Sequence, residues 1–353
     1  MKKVLLLSII LTSTVAKVMG RIDNSYVYVG RAVNLLKELT AGRRVIVITD
    51  ENLCECCGEL IQQYEHIIIG TGERSKSLES AEQVYCELIS RGADRHTMIV
   101  GVGGGIVTDI TGFVASTYMR GVEFGFVATT LLAQVDAAIG GKNGVNVAGY
   151  KNMVGTFCQP KFVVCDVELL KTLPTREFCA GLAEIIKAAI ICDPMLFKVL
   201  EDGDVEYWVG NPEALEQVVR RAVEIKLDIV SKDEREAGLR RVLNLGHTLA
   251  HAIESRPGNY YNHGEAVAFG TVMVARMACS NGLLSGNEAE RIVRLFESYG
   301  FKVAFPFSTE LMEAIGKDKK REKSTLHLIV PTAIGEVKDM AVTLVELEEM
   351  FNK

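Results

Sequence analysis

A chain of 353 residues that is 48% apolar can bury a sizeable core, as two domains or one large α/β domain. Its net charge of −6, with no basic tract, argues against a nucleic-acid binder, which carries a visible basic face. The nine cysteines are scattered, and the one cluster, Cys54, Cys56 and Cys57, lacks the paired C-x-x-C spacing of a structural zinc site, so they read as reduced thiols.

In chain order, Met1-Lys2-Lys3 precedes an apolar run over residues 4–11, and Thr14-Val15-Ala16 imitates a cleavage site. The segment reads either as a signal peptide or as a buried first strand, and is too short to span a membrane. Continuous apolar runs predict parallel strands over 45–49, 66–69, 98–100, 125–128 and 161–165, with a helix over 78–91. Strands alternating with helices imply a parallel sheet covered on both faces, whose ligands bind beyond the carboxyl ends of the strands. Asp50, Gly72-Glu73, Gly103-Gly104-Gly105, Thr129-Thr130 and Lys171-Thr172 all lie at or just past such ends. Asp50 and Glu73 could each hold ribose hydroxyls or be solvated turn carboxylates.

The three glycines end an apolar strand and open a helix, an arrangement that lets the backbone and a helix N-terminus approach a phosphate. They do not follow the G-x-G-x-x-G fingerprint and alone are also compatible with an ordinary turn. Lys142 and Lys151, with Asn146 and Asn152, frame a second glycine-rich stretch, read as flexible loops suited to a phosphorylated, oxygen-rich ligand.

After Pro174 the texture becomes helical, with segments predicted over 176–191, 213–231, 240–254, 264–281 and 287–299, and a late hairpin over 326–331 and 336–342. The expected architecture is an α/β fold in two domains. A Rossmann-like parallel α/β domain over 1–174 is followed by a mainly α-helical domain over 175–353. Within the helical half, His247 and His251 stand at i and i+4, His263 follows a turn-rich stretch, and Glu184 is a charge inside an apolar helix. One Glu and two His make an N/O set suited to Zn²⁺ or a similar ion, although single histidines are more often core or surface residues. Arg240, Asn244, His247 and His251, spaced 4, 3 and 4, are expected on one face of a continuous helix.

Long ordered motifs bring these signals together: Gly-Gly-Gly-Ile-Val-Thr-Asp (103–109), Thr-Thr-Leu-Leu-Ala-Gln-Val-Asp (129–136), Gly-Gly-Lys-Asn-Gly-Val-Asn (140–146), Gly-Leu-Ala-Glu-Ile-Ile-Lys (181–187), Asp-Glu-Arg-Glu-Ala-Gly-Leu-Arg (233–240), Leu-Gly-His-Thr-Leu-Ala-His-Ala-Ile-Glu (245–254) and His-Gly-Glu-Ala-Val (263–267). Over about residues 45–335 the chain resembles the 3-dehydroquinate synthase family of sugar phosphate cyclases. The resemblance implies a lyase of the shikimate pathway, leading to chorismate and the aromatic amino acids. It would convert 3-deoxy-D-arabino-heptulosonate 7-phosphate to 3-dehydroquinate and phosphate by transient oxidation, elimination, re-reduction and aldol closure.

It also implies NAD and a divalent metal, zinc or cobalt, in a cytoplasmic homodimer whose partner is a small sugar phosphate rather than nucleic acid or membrane. Carried onto this sequence, Asp50, Asn52, Glu73, Lys76, Gly104, Gly105, Ile106, Val107, Thr108, Asp109, Thr129, Thr130, Lys142, Lys151, Leu169, Leu170, Lys171 and Thr172 would contact NAD. Glu184, His247 and His263 would be metal ligands. Arg120, Asp136, Lys142, Lys151, Asn152, Lys187, Lys226, Glu236, Arg240, Asn244 and His251 would act on substrate, with Lys319 or Lys320 reaching the phosphate. Arg240 and Lys226 would grip the carboxylate, and His251 is a candidate proton shuttle. Ala128 stands where a proline is usual, Asn143 where threonine is usual, and Val147-Ala148-Gly149-Tyr150 differs from the usual loop. A related cyclase acting on sedoheptulose 7-phosphate and a metal-dependent polyol dehydrogenase are the alternatives.

Overall fold

A computed structural model describes residues 17–255, 260–303, 309–319 and 325–353. The apolar N-terminal run, the stretch 256–259 and Lys320 lie outside the described residues. The chain divides into two compact units, one comprising the residues up to Leu173 together with Trp208–Leu227, the other comprising Pro174–Tyr207 and Asp228–Lys353. The long helix Pro212–Lys232 thus contributes to both, its part up to Leu227 belonging with the first.

The first unit is built on a seven-stranded sheet of β1 (Lys17–Ile22), β2 (Ser25–Val29), β3 (Val45–Asp50), β4 (Glu65–Ile69), β5 (Met98–Gly103), β6 (Phe124–Ala128) and β9 (Phe162–Cys165). Their order across the sheet is β1-β2-β9-β6-β5-β3-β4. All pairings are parallel except β1 with β2. Every residue of β5, β6 and β9 is buried, the signature of central parallel strands covered on both faces. The carboxyl ends of β5 and β6 are tied where Thr129 N–H donates to the Gly103 carbonyl at 3.0 Å. Gln134 Nε2 donates to the Ala128 carbonyl at 3.0 Å and to that of Asp166 at 2.8 Å, closing the ends of β6 and β9.

The stretch expected to be flexible loop is instead a β-hairpin of β7 (Lys142–Val147) and β8 (Tyr150–Phe157). Ala148 and Gly149 both have positive φ, 52° and 81°, the two-residue turn whose twist matches that of paired strands. Asn143 closes the open end of the hairpin, its Nδ2 donating to the carbonyls of Gly141 at 3.0 Å and Cys158 at 2.9 Å. Its Oδ1 lies against Gly112 of the Gly105–Thr117 helix, where a Cβ would come within 1.8 Å. This hairpin carries Lys142 opposite Phe157, and Asn146, Lys151 and Asn152 at the irregularity between Val145 and Val147, where Asn152 has φ 57°.

Among its described residues the second unit is helical apart from the hairpin of β10 (Leu326–Ala333) and β11 (Glu336–Val342). Its centre is the pair of helices Thr175–Cys192 and His263–Ser280, each with thirteen buried residues. They meet where Gly264 lies against Ala180, a Cβ on Gly264 falling 2.2 Å from the Ala180 Cα. The helix expected over 240–254 is two elements, a 3₁₀ segment Leu239–Asn244 and an α-helix His247–Glu254. Gly246 separates them at φ 76°, the left-handed region open to glycine. Arg240 and Asn244 therefore do not share a helix face with His247 and His251.

Candidate active site

In the first unit, residues singled out from sequence converge on one polar network. Lys76 Nζ is ion-paired to Asp109 Oδ2 and donates to Asn152 Oδ1 at 2.5 Å. Asn146 Nδ2 donates to Glu73 Oε1 at 2.7 Å, and the Asn152 N–H donates to Asn146 Oδ1 at 3.0 Å. Burial pushes the Asp109 carboxyl up to about 6, against the opposing pull of Lys76. The network draws on helix Gly105–Thr117, the hairpin and the short turn Glu73–Ser75.

Beside it, that helix begins at Gly104 with no side-chain cap, so its first N–H groups are left for a ligand's oxygens. A Cβ on Gly104 would fall 2.9 Å from the Thr130 side chain, so the glycine keeps the backbone bare at the strand end. This bare, uncapped terminus at the carboxyl edge of a parallel sheet fits a dinucleotide's phosphates. Asp50 caps the Glu51–Cys56 helix through Leu53 N at 3.1 Å, and Asn52 lies exposed on it. Lys171 pairs with Glu168 at 2.7 Å. Lys226 is ion-paired to Asp136. Arg120 is exposed in a left-handed turn, φ 67°.

In the second unit, Glu184, His247 and His263 each present a donor atom, all within 4.8 Å of one another. Glu184 is buried in the middle of Thr175–Cys192; the two histidines open helices of their own. His263 Nε2 lies 3.2 Å and His247 Nε2 3.8 Å from the same Glu184 Oε1. The other ring nitrogens face acceptors: His247 Nδ1 is 3.2 Å from the Leu245 carbonyl, and His263 Nδ1 is 3.6 Å from Glu254 Oε2. Both imidazoles thus turn Nε2 inward, as a ligand pair needs. A carboxylate and two imidazoles converging with one another fit a divalent ion of the zinc type, with room left for substrate oxygens. His251 stays outside this set, its ring edge-on to His247 with centroids 5.6 Å apart.

Lys187 is ion-paired to Glu184, and both are almost wholly buried. Burial alone would raise the Glu184 carboxyl, but the Lys187 ammonium and the two histidines outweigh it and hold it well below the usual carboxylate range. Burial, with Lys187 adding to it, depresses His247. His263 resists burial because Glu184 and Glu254 push it up to about 10.

Two supports escaped sequence reasoning. Asp233, present in the sequence only as the first residue of the 233–240 motif, gathers a loop: its Oδ1 accepts from Ala237 N at 2.9 Å, and its Oδ2 from Gly238 N at 2.7 Å and Arg240 N at 3.0 Å. The loop sets Arg240, whose guanidinium also donates to the Glu234 carbonyl, and Glu236, which accepts from Asn244. Arg176 grips Glu265 through two bonds, at 2.8 and 2.6 Å, and Glu265 completes a capping box with Asn262 at the start of the helix that His263 opens. The Asn-x-x-Glu spacing of Asn262 and Glu265 was the available signal for that cap.

Sequence models of the N-terminal and C-terminal parts of 3-dehydroquinate synthase match residues 66–180 and 181–321. The 3-dehydroquinate synthase of Microcystis aeruginosa is 40% identical over 335 residues, 89% of this chain and 91% of that protein.

The chain belongs to the 3-dehydroquinate synthase family.

Another member of the 3-dehydroquinate synthase family, from Pseudoalteromonas atlantica, is 44% identical over 81% of this chain and 80% of its own. Among solved structures, the 2-epi-5-epi-valiolone synthase of Streptomyces hygroscopicus, with NAD⁺ and Zn²⁺ bound, aligns with TM-score 0.83 at 28% identity. That alignment covers 97% of this chain and 98% of the other. The observed α/β sheet and helical second part are thus those of the family, and the resemblance carried by the motifs holds across both halves.

Proposed function

We infer that the chain catalyses its family's reaction, conversion of 3-deoxy-D-arabino-heptulosonate 7-phosphate to 3-dehydroquinate and phosphate. The observation that carries this reading is 40% identity to a 3-dehydroquinate synthase over nine-tenths of the chain. When bound, NAD⁺ accepts and returns a hydride, and the divalent ion polarises a substrate oxygen.

Glu184, His247 and His263 hold the ion. The uncapped turn at Gly104 and Gly105, with Glu73, Lys76, Asp109, Thr129 and Thr130, holds the dinucleotide. Arg240, placed by Asp233, and Lys226 take the substrate carboxylate as charge-assisted donors. Lys142, Lys151 and Asn152 take phosphate oxygens. Lys142 is set by the hairpin's pairing and Asn152 by its bonds to Lys76 and Asn146, and positioning is the main demand of a reaction in which one flexible substrate passes through several steps. His251, whose ring lies edge-on to His247, moves a proton at a substrate hydroxyl. The protein works as a homodimer in the cytoplasm. Among the described residues no helix is long and apolar enough to cross a membrane.

The test is a product assay with three substrates, supplied with NAD⁺ and Zn²⁺ or Co²⁺. Phosphate and 3-dehydroquinate are expected from the heptulosonate phosphate. Turnover of sedoheptulose 7-phosphate in its place would make the chain a sister cyclase, and steady NADH from glycerol without phosphate release would make it a polyol dehydrogenase.

A further inference from the structure

We propose that Glu254 is the carboxylate that orients His263 for metal binding, so that affinity at the Glu184–His247–His263 cluster depends on it. This rests on the reading that the cluster holds a divalent ion.

Glu254 Oε2 lies 3.6 Å from His263 Nδ1, on the opposite edge of the ring from Nε2 and Glu184. Its side chain is only 8% exposed, so this carboxylate is held against the cluster rather than spread in solvent. It does not belong to the converging donor set, which consists of Glu184, His247 and His263. A single short helix, His247–Glu254, carries a proposed ligand at its first position and this carboxylate at its last. Seven residues make two helical turns, which returns Glu254 to the face of His247. The one helix therefore serves two of the three proposed ligands: it supplies one and aligns the other.

A free imidazole has two tautomers and can rotate. An acceptor at Nδ1 keeps the proton there and leaves the Nε2 lone pair for the ion, and an anionic acceptor also makes the ring a stronger donor. His247 has the same arrangement with a neutral acceptor, the Leu245 carbonyl at 3.2 Å. The two histidines are thus oriented by different means, one by backbone that no substitution removes and one by a side chain that can be replaced. That difference makes the inference testable.

The experiment titrates metal-free protein with Co²⁺ or Zn²⁺ against a chromophoric chelator, with circular dichroism to confirm folding and the Co²⁺ visible spectrum to report the ligand set. The wild-type chain should bind stoichiometrically. Glu254→Gln, which keeps the shape and removes the charge, should weaken binding about 10–100-fold while leaving the Co²⁺ spectrum of the loaded protein unchanged in form. Glu254→Asp, which keeps the charge, should recover part of the loss and also serves if the glutamine variant fails to fold. Wild-type affinity in both Glu254→Gln and Glu254→Ala would overturn the proposal. A Co²⁺ spectrum altered in form in Glu254→Gln would also overturn it, since Glu254 would then be a direct ligand. Absence of stoichiometric binding in the wild-type chain would instead refute the underlying metal reading.

Discussion

His263→Ala should abolish turnover and stoichiometric metal binding while leaving the protein folded. His263 is the most exposed of the three converging residues, with its side chain at 30%, and it stands at a helix start rather than in the packed interior. Its removal takes away one donor and costs the Glu254 carboxylate its imidazole neighbour, but leaves the deeply buried Glu184–Lys187 pair intact. A bound ion's stabilisation of developing charge is worth several kcal/mol, and each ~1.4 kcal/mol is tenfold in rate. Glu184→Gln should also end turnover, with a further effect on stability. Lys187 and Glu184 are paired, with side chains only 3% and 2% exposed, and neutralising one partner of a buried pair typically costs about 3–5 kcal/mol. The contrast separates a ligand that serves only the ion from one that also neutralises a buried ammonium. Thermal unfolding of the metal-free proteins should show His263→Ala below wild type and Glu184→Gln further below it. Normal turnover by His263→Ala with zinc still bound would reject the assignment.

Gly264→Ala should lower both stability and activity, although it replaces no ligand. The added methyl would lie 2.2 Å from the Ala180 Cα and 2.7 Å from the Ala180 carbonyl oxygen, so backbone rather than a side-chain tip must give way. Overpacking of this kind costs about 1–3 kcal/mol. The two helices forced apart carry His263, adjacent to Gly264, and Glu184, one turn beyond Ala180. A displacement of the order of 1 Å at a reacting geometry can cost about a hundredfold in rate. Kinetics alongside thermal unfolding test this; wild-type values in both would mean that the helix contact does not set the cluster.

The parallel sheet was legible because β3, β5, β6 and β9 are buried along nearly their whole length and so read as unbroken apolar runs. The β7–β8 hairpin was not, since β8 is exposed or half-buried throughout and leaves no alternation of polar and apolar residues to read. The Ala148-Gly149 turn was the weaker signal, because alanine is not the usual residue at positive φ. Helical periodicity ran through Gly246 because a lone glycine does not interrupt the apolar spacing. The break comes from packing: a Cβ there would meet Thr271 Oγ1 at 2.5 Å and its N at 2.6 Å.

For the metal cluster, spacing could pair His247 with His251, four residues on. It could not show that His263 and Glu184, from two other helices, close on the Nε2 side of His247 while His251 stays outside. Family motifs supplied that grouping, and tertiary contact supplied Glu254 and Asp233, whose roles depend on neighbours that no local pattern encodes.

As a cyclase, the protein should use NAD⁺ and restore it within each turnover. The most direct measurement follows phosphate release and NADH absorbance together, during turnover of 3-deoxy-D-arabino-heptulosonate 7-phosphate with NAD⁺ well below the substrate concentration. Substrate should be consumed far beyond the NAD⁺ supplied, with phosphate released in step and no net NADH. NADH accumulating in proportion to product, with turnover stopping when NAD⁺ is exhausted, would contradict it.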